Sequence, residues 1–230
     1  MTGRTADLPD GAWPWLHDFA RRLGIWVFVP RFRLHVHRRD RIPAAGPLVV
    51  VINHSSLLDG PIVFSILGRR SVFLIKQEIF AGPLRWALPR IGQLPVRRGM
   101  PDRTPLLAAV RVLRAGGAVG VFPEGSRGTG DVASAENGAA WLARSASAVV
   151  LPVACRGTRP VAGVRYGFRR RVDVLVGEPI TLSGARGRTG LAAATEQVRG
   201  ALADLVVELD RLRAGAASGR GARGVENFGE

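Results

Sequence analysis

Apolar positions along this chain follow two repeats, one typical of strands and one typical of helices, and the two alternate. Residues 31–37, RFRLHVH, alternate strictly and place Phe32, Leu34 and Val36 on one side of a predicted strand. Apolar runs predict further strands at residues 47–53, 71–76, 93–96, 118–122, 148–155 and 171–177. Helical spacing predicts helices over residues 56–67, 78–88, 103–115, 136–146 and 189–213. Strands that alternate with helices predict an α/β fold, a single domain whose largely parallel central sheet is flanked by helices.

The N-terminal part of the chain predicts a separate amphipathic helix over residues 13–28. Its apolar residues recur at helical spacing, at Trp13, Leu16, Phe19, Leu23 and Trp26. A helix with tryptophan on its apolar side and arginine elsewhere is able to lie in a membrane interface. Packing of the helix against the body of the protein explains the same pattern equally well.

The length of 230 residues is typical of one domain with a small appendage. Residues 1–11 are predicted to be disordered, and the Gly/Ala/Arg-rich residues after 213 are too poor in apolar side chains to fold alone. We therefore predict an N-terminal amphipathic or membrane-interface helix (1–30), an α/β domain (31–213) and a disordered tail (214–230).

The charge and the cysteine content indicate which binding partners and which cellular compartment to expect. The formal net charge is +15, and only one of the 33 basic residues is a lysine, Lys76. Such a surface attracts anionic lipid headgroups, nucleic acid or acidic ligands, and charge alone does not choose among them. With one cysteine, Cys155, and neither a signal peptide nor a membrane-spanning run apparent, we expect a protein that stays inside the cell, in a reducing environment.

Two polar motifs directly follow apolar strands of the predicted sheet. NHSSLLD occupies residues 53–59, and FPEGSRG occupies residues 122–128. In largely parallel sheets, ligands bind at the carboxyl ends of the strands. We therefore expect both motifs to lie at one edge of the sheet and to form the functional site.

His54 and Asp59 are candidates for proton transfer. Residues five apart in one helix do not face each other, so the two side chains meet only if His54 lies in the turn before the helix. Ser55 or Ser56 would then cap the helix, and Asp59 would hold one imidazole nitrogen and leave the other free to take a proton. A second pair at the same offset, His35 and Asp40, lacks a following helix, so we interpret it as the end of a surface strand.

The second motif has the residues of an anion-binding loop. Gly125 and Gly128 permit close backbone approach, and Ser126 and Arg127 offer donors suited to a phosphate. Glu124 is able to orient the arginine or to bind a substrate hydroxyl. The motif is not a nucleophile elbow, because Glu124 stands where G-x-S-x-G requires glycine. It is not a Walker loop, because no G-K-[ST] follows.

Four blocks in order resemble the glycerolipid acyltransferase family. NHSSLLD is similar to that family's N-H-x-S-x-x-D block, and FPEGSR to its F-P-E-G-[ST]-R block. IGQLPVRRG resembles its G-x-x-P-V-D-R segment, with Arg97 where the family commonly has Asp, and VVLPVACRG resembles a fourth block centred on Pro152. Lys76 in IKQEIF also fits. The resemblance covers residues 40–180, and four ordered blocks are far more specific than one.

The resemblance implies direct acyl transfer to lysophosphatidic acid, giving phosphatidic acid in phospholipid biosynthesis. His54, oriented by Asp59, would take the proton of the acceptor hydroxyl, and the alkoxide would attack the thioester of acyl-CoA or acyl-carrier protein. The implied substrate-binding residues are Lys76, Arg98, Glu124, Gly125, Ser126, Arg127 and Pro152, the last on the acyl-donor side. No cofactor and no metal are expected. Because the N-terminal segment is short beside family members that carry membrane anchors, the resemblance implies a peripheral enzyme at the cytoplasmic face of the cell membrane.

Two alternatives remain open at this point. An enzyme of the same kind could use another lysolipid or polar-lipid acceptor. A basic nucleic-acid-binding protein would explain the charge, but the arginines are scattered and no binding motif is apparent, so we expect no nucleic acid. We interpret His17 and His37 as surface or interface residues, Cys155 as packing and Arg156 as a solvated charge.

Overall fold

The computed structural model describes residues 7–97, 103–125, 128–159, 169–182 and 187–222. The strands of this part of the chain are β1 (Phe32–His37), β2 (Leu48–Ile52), β3 (Ser71–Lys76), β4 (Leu94–Val96), β5 (Ala118–Val121), β6 (Val149–Arg156) and β7 (Arg170–Val176). Its α-helices are α1 (Pro14–Arg31), α2 (Asp59–Ile66), α3 (Pro83–Arg90), α4 (Thr104–Arg114), α5 (Gly138–Ser145) and α6 (Arg188–Ala222).

The strands form one sheet in the order β1-β7-β6-β2-β5-β3-β4. Every neighbouring pair is parallel except β6 and β7, which are antiparallel. This confirms the predicted α/β class and largely parallel sheet. The order places β2 between β5 and β6, so the loops that follow these three strands are neighbours in space.

Strand β2 shows why the central strands read as unbroken apolar runs. All five of its residues are buried. Val49 and Val51 pack on one face of the sheet, and Leu48, Val50 and Ile52 pack on the other. Because helices cover both faces of the sheet, the side chains on both faces of the strand are buried and apolar.

The helices divide between the two faces of the sheet. Side chains of α4, α5 and α6 build one core, which includes Leu113, Leu142 and Leu202. Side chains of α2 build the other with those of β1, and Ala20 and Phe28 of α1 pack against them. Helix α3 meets the start of α1, where the rings of Trp13 and Trp86 lie 5.7 Å apart edge to face.

Several boundaries differ from those expected. Helix α2 begins at Asp59 rather than near residue 56, because the backbone amides before it turn toward the Asp59 carboxylate. Helix α6 continues to Ala222, past the predicted end at residue 213. Leu8 is buried in the core although residues 1–11 were expected to be disordered. The division into three segments stays a prediction.

Of the two interpretations offered for His17, as a surface or as an interface residue, the first is wrong, because the side chain is fully buried. Its Nε2 atom lies 3.0 Å from the carbonyl oxygen of Ser71, and its ring packs edge to face on Phe64. Burial lowers the pKa of His17, and this effect outweighs the hydrogen bond to Ser71 and the nearby charge of Asp18. His17 therefore acts as a neutral core residue between α1 and the start of β3.

Across the described residues, no helix combines the length and the apolar character that crossing a membrane requires.

Candidate active site

Three loops meet at the carboxyl edge of the sheet, where the sequence predicts the site. They follow β2, β5 and β6, which are adjacent strands. The first carries His54, the second Phe122 and Glu124, and the third Thr158. The two polar motifs therefore lie together, as expected from the parallel strands.

His54 and Asp59 are in contact. The Nδ1 atom of His54 lies 3.3 Å from Oδ2 of Asp59, and the Asp59 carboxylate is fully buried. The same oxygen accepts hydrogen bonds from the backbone amides of Ser55 at 2.8 Å and Ser56 at 2.7 Å. When Nδ1 donates a hydrogen bond to Asp59, the other ring nitrogen, Nε2, faces away from the carboxylate and is able to exchange a proton with a substrate.

The predicted serine cap is only partly present. The hydroxyl of Ser56 accepts a hydrogen bond from the Leu58 amide at 3.2 Å, but no side chain caps α2 itself. The carboxylate of Asp59, the first residue of the helix, instead collects the free amides of the turn. Asp59 therefore fixes both the loop that carries His54 and the imidazole ring of His54.

Phe122 holds the imidazole from one face. Its ring and that of His54 stack with centroids 4.1 Å apart and an angle of 29° between their planes. Phe122 is the first residue of FPEGSRG, and sequence reasoning gave it no role. In the sequence, only the position of Phe122 directly after a strand could have indicated a role in the site. The stack and the Asp59 contact together restrict the rotation of the His54 side chain.

The loop after β5 also holds the backbone of His54. Oε1 of Glu124 accepts a hydrogen bond from the His54 amide at 2.8 Å, and the amide of Gly128 donates to the His54 carbonyl at 3.0 Å. Burial raises the pKa of Glu124, and the bond from the His54 amide opposes that rise. The described contact of Glu124 is therefore with His54, where we expected an arginine or a substrate.

Asn53, the last residue before His54, joins the first loop to the second loop and to strand β6. Its amide group donates to the carbonyls of Gly130 and Cys155 at 3.1 Å each, and its oxygen accepts from the Cys155 amide at 2.7 Å. The side chain is fully buried. Its role escaped sequence reasoning because its partners lie far away along the chain.

Arg156 is an ion-paired residue, and its interpretation as a solvated charge is wrong. Its guanidinium lies 2.6 Å from a carboxylate oxygen of Asp131 and 2.9 Å from one of Asp210. It also donates to the carbonyl of Thr129 at 2.7 Å. These bonds attach the loop after residue 127 to β6 and α6.

A cavity of about 450 Å³ opens at this edge of the sheet. Phe122 and Glu124, which both contact His54, form part of its wall. Apolar side chains form much of the remainder, among them Leu74, Val96, Leu106, Val121 and Ala139. The cavity suits a ligand with an apolar portion and a polar group near the imidazole.

Other predicted substrate-binding residues are placed as follows. Lys76 lines the cavity at the end of β3, and its ammonium lies 3.1 Å from a carboxylate oxygen of Glu78. Gly125 lines it as well, with a φ of +67° that favours glycine. Pro152 is buried within β6 opposite Val51 and is not part of the cavity wall. Arg98, Ser126 and Arg127 lie outside the described residues.

Comparison with known proteins identifies the family of this chain. The family model described as Acyltransferase matches residues 33–156, more than half of the chain. The chain belongs to the acyltransferase family. This acyltransferase carries His54 and Asp59 within the matched segment, together with the loop of Phe122 and Glu124.

Individual relatives extend the likeness beyond that segment. The 1-acyl-sn-glycerol-3-phosphate acyltransferase of Bacillus subtilis (strain 168) is 27% identical over 184 residues, which cover 77% of this chain and 90% of the relative. Chloroplastic and beta-type enzymes of the same name from Brassica napus and Homo sapiens are 29% and 31% identical over 62% and 53% of this chain. The matched segments span less than half of those two relatives, 43% and 45%.

The fold of this acyltransferase is shared with a solved structure. The 1-acyl-sn-glycerophosphate (LPA) acyltransferase PlsC from Thermotoga maritima superposes with a TM-score of 0.62 at 24% identity. The superposition covers 87% of this chain and 79% of that protein.

Proposed function

We propose that this acyltransferase moves a fatty acyl group from acyl-CoA or acyl-carrier protein to the free hydroxyl of lysophosphatidic acid, giving phosphatidic acid in phospholipid biosynthesis. The observation that carries the proposal is the contact between His54 and Asp59 beside an apolar cavity. The names of the relatives from Bacillus subtilis, Brassica napus and Homo sapiens favour this acceptor.

The reaction begins when Nε2 of His54 takes the proton of the acceptor hydroxyl. At the same time, the oxygen of that hydroxyl attacks the carbonyl carbon of the thioester. Asp59 stabilises the imidazolium that forms, through the hydrogen bond to Nδ1. The tetrahedral intermediate then collapses, the carbon–sulfur bond breaks, and the imidazolium returns its proton to the departing thiolate. The imidazole ends the cycle neutral, and no acyl group is attached to the enzyme.

The acceptor phosphate needs positive charge and hydrogen-bond donors. We assign phosphate binding to Lys76, which lines the cavity, together with Arg98, Ser126 and Arg127. Gly125 supplies close backbone approach, and Glu124 contributes by fixing the backbone of His54. Pro152 contributes through packing within β6.

We further propose that the enzyme works peripherally at an anionic membrane surface, at the cytoplasmic face of the cell membrane. Helix α1 exposes large apolar side chains at helical spacing, with Trp15 64%, Phe19 56% and Trp26 77% exposed. Arg22 is exposed on the same side of the helix. Apolar residues beside arginine on one surface, in a chain of net charge +15, suit an interface of anionic lipids.

The central test measures thiol release from palmitoyl-CoA in the presence of lysophosphatidic acid. His54→Ala should lower kcat at least ~10²-fold, the scale expected for loss of a general base. His35→Ala is the matched control, because His35 has an aspartate at the same offset but lies exposed on β1. Turnover in His54→Ala equal to that of the wild type would reject the proposal.

The acceptor is tested by omitting its phosphate. A monoacylglycerol with the same acyl chain should react at least about tenfold more slowly than lysophosphatidic acid, because a cationic site binds the phosphate. Equal rates would favour the alternative function, acyl transfer to a different lysolipid or polar lipid. Salt-sensitive DNA binding without any thiol release would instead favour a nucleic-acid-binding protein.

A further inference from the structure

Thr158, in the loop after β6, contacts the carboxylate that orients His54. The Thr158 side chain is fully buried, and its hydroxyl donates a hydrogen bond to Oδ1 of Asp59 at 2.5 Å. The two residues are separated by 99 positions in the sequence. Neither polar motif contains Thr158, so the motifs do not indicate this contact.

The two oxygens of the Asp59 carboxylate have different partners. Oδ2 accepts hydrogen bonds from the backbone amides of Ser55 and Ser56 and contacts the Nδ1 atom of His54. Among the hydroxyl and N–H donors of the described residues, only Thr158 reaches Oδ1. Because the carboxylate is planar and rigid, a bond that holds Oδ1 also determines where Oδ2 lies relative to the imidazole.

Thr158 is itself held in place on two sides. Its backbone carbonyl accepts a hydrogen bond from the guanidinium of Arg170. Its Oγ1 atom lies 3.3 Å from the hydroxyl oxygen of Ser55. Because the Thr158 hydroxyl donates its hydrogen to Asp59, the Ser55 hydroxyl is the donor in this second contact. The donor to Oδ1 therefore has a defined position, set by β7 and by the loop of His54.

The surroundings of the carboxylate provide no equivalent substitute for this hydroxyl. The fully buried thiol of Cys155 lies nearby, and burial, followed by the charge of Asp59, raises the pKa of that thiol well above its usual range. The thiol therefore stays neutral, and a thiol is a weak donor. Without Thr158, Oδ1 would be a buried charged oxygen that lacks a strong partner.

We propose that Thr158 is a positioning residue for acyl transfer: its hydroxyl holds the Asp59 carboxylate so that Oδ2 faces Nδ1 of His54. This inference rests on the proposed function of His54 as the base. Thr158 is not one of the residues that line the cavity. Its loss therefore affects the rate of the chemical step and leaves substrate affinity nearly unchanged.

The experiment compares Thr158→Val, which removes the hydroxyl at nearly constant shape, with Thr158→Ser, which retains it. We expect Thr158→Val to lower kcat about 10- to 100-fold, the scale of a lost hydrogen bond to a charged group, with KM within about twofold of wild type. Thr158→Ser should restore kcat to within about threefold of wild type. Unfolding midpoints, measured in parallel, identify any variant that fails to fold.

A double-mutant cycle distinguishes positioning from general support of the fold. In the Asp59→Asn background, Thr158→Val should change kcat less than about twofold, because the carboxylate through which Thr158 acts has been removed. Full additivity of the two losses, or a normal kcat in Thr158→Val, would overturn the inference. If His54→Ala were also fully active, the proposed function would fail with it; if His54→Ala were inactive, only the role of Thr158 would fall.

Discussion

The ring of Phe122 stacks on the imidazole of His54 at the junction of two loops that the sequence separates by 68 positions, with 4.1 Å between the ring centroids. Phe122 directly follows β5, and His54 lies in the loop after β2, the parallel neighbour of β5. The same imidazole touches Asp59 through Nδ1. A flat apolar surface on one side and a carboxylate at one edge define the orientation of the base.

Replacement of Phe122 by leucine should lower kcat about tenfold or more, because a base that leaves its productive orientation loses much of its rate advantage. The measurement is thiol release at saturating acceptor. Phe64→Leu is the control, since Phe64 is a buried phenylalanine whose ring contacts His17 and Phe73 rather than His54. Equal losses in the two variants would show that the stack has no special role.

Asn53→Ala should destabilise the protein by about 2–3 kcal/mol, because it leaves the carbonyls of Gly130 and Cys155 and the amide of Cys155 without their partner. Urea unfolding measures the change. Asn137→Ala, which removes an exposed amide bonded to Thr195, should cost less than about 1 kcal/mol. A loss in Asn53→Ala no greater than that of the control would contradict this account.

The double variant Phe19→Glu/Trp26→Glu should lower binding to phosphatidylglycerol vesicles at least about tenfold, because it puts charge into the apolar surface of α1. Vesicle co-sedimentation measures the effect, with thermal unfolding to verify the fold. Val207→Glu/Leu212→Glu is the matched control, since these exposed apolar side chains lie on α6, which packs on the opposite face of the sheet. Equal loss of binding in both variants would place the membrane contact elsewhere.

Stability should fall as the pH drops below 6.5, the ordinary pKa of histidine, because burial lowers the pKa of His17 in the folded state. The unfolded chain then binds a proton that the folded chain resists, so acid favours unfolding until the pH reaches the lowered pKa. The thermal midpoint as a function of pH measures this. His17→Phe should flatten the slope, whereas His35→Phe, at an exposed position, should retain it.

Local patterns in the sequence were enough to predict much of the architecture. Apolar runs such as VVVI of β2 predicted buried strands, and their alternation with helices predicted the parallel sheet. The offset between His54 and Asp59 predicted a strand, a turn and then a helix, and the two side chains do touch across that turn. These features depend on neighbours in the chain, so they can be recognised from short stretches.

Local sequence patterns were sufficient to identify which strands end in polar motifs, and therefore that His54 and Glu124 share one edge of the sheet. The tertiary structure alone decided which distant residues complete the site, namely Phe122 against the imidazole and Thr158 against the Asp59 carboxylate. It also decided that α1 buries His17 and exposes Trp26. These contacts depend on the strand order β6-β2-β5 and on the packing of α1 against α2. The spacing of apolar residues along the chain predicts helices and strands, but it carries no information about which of them become neighbours.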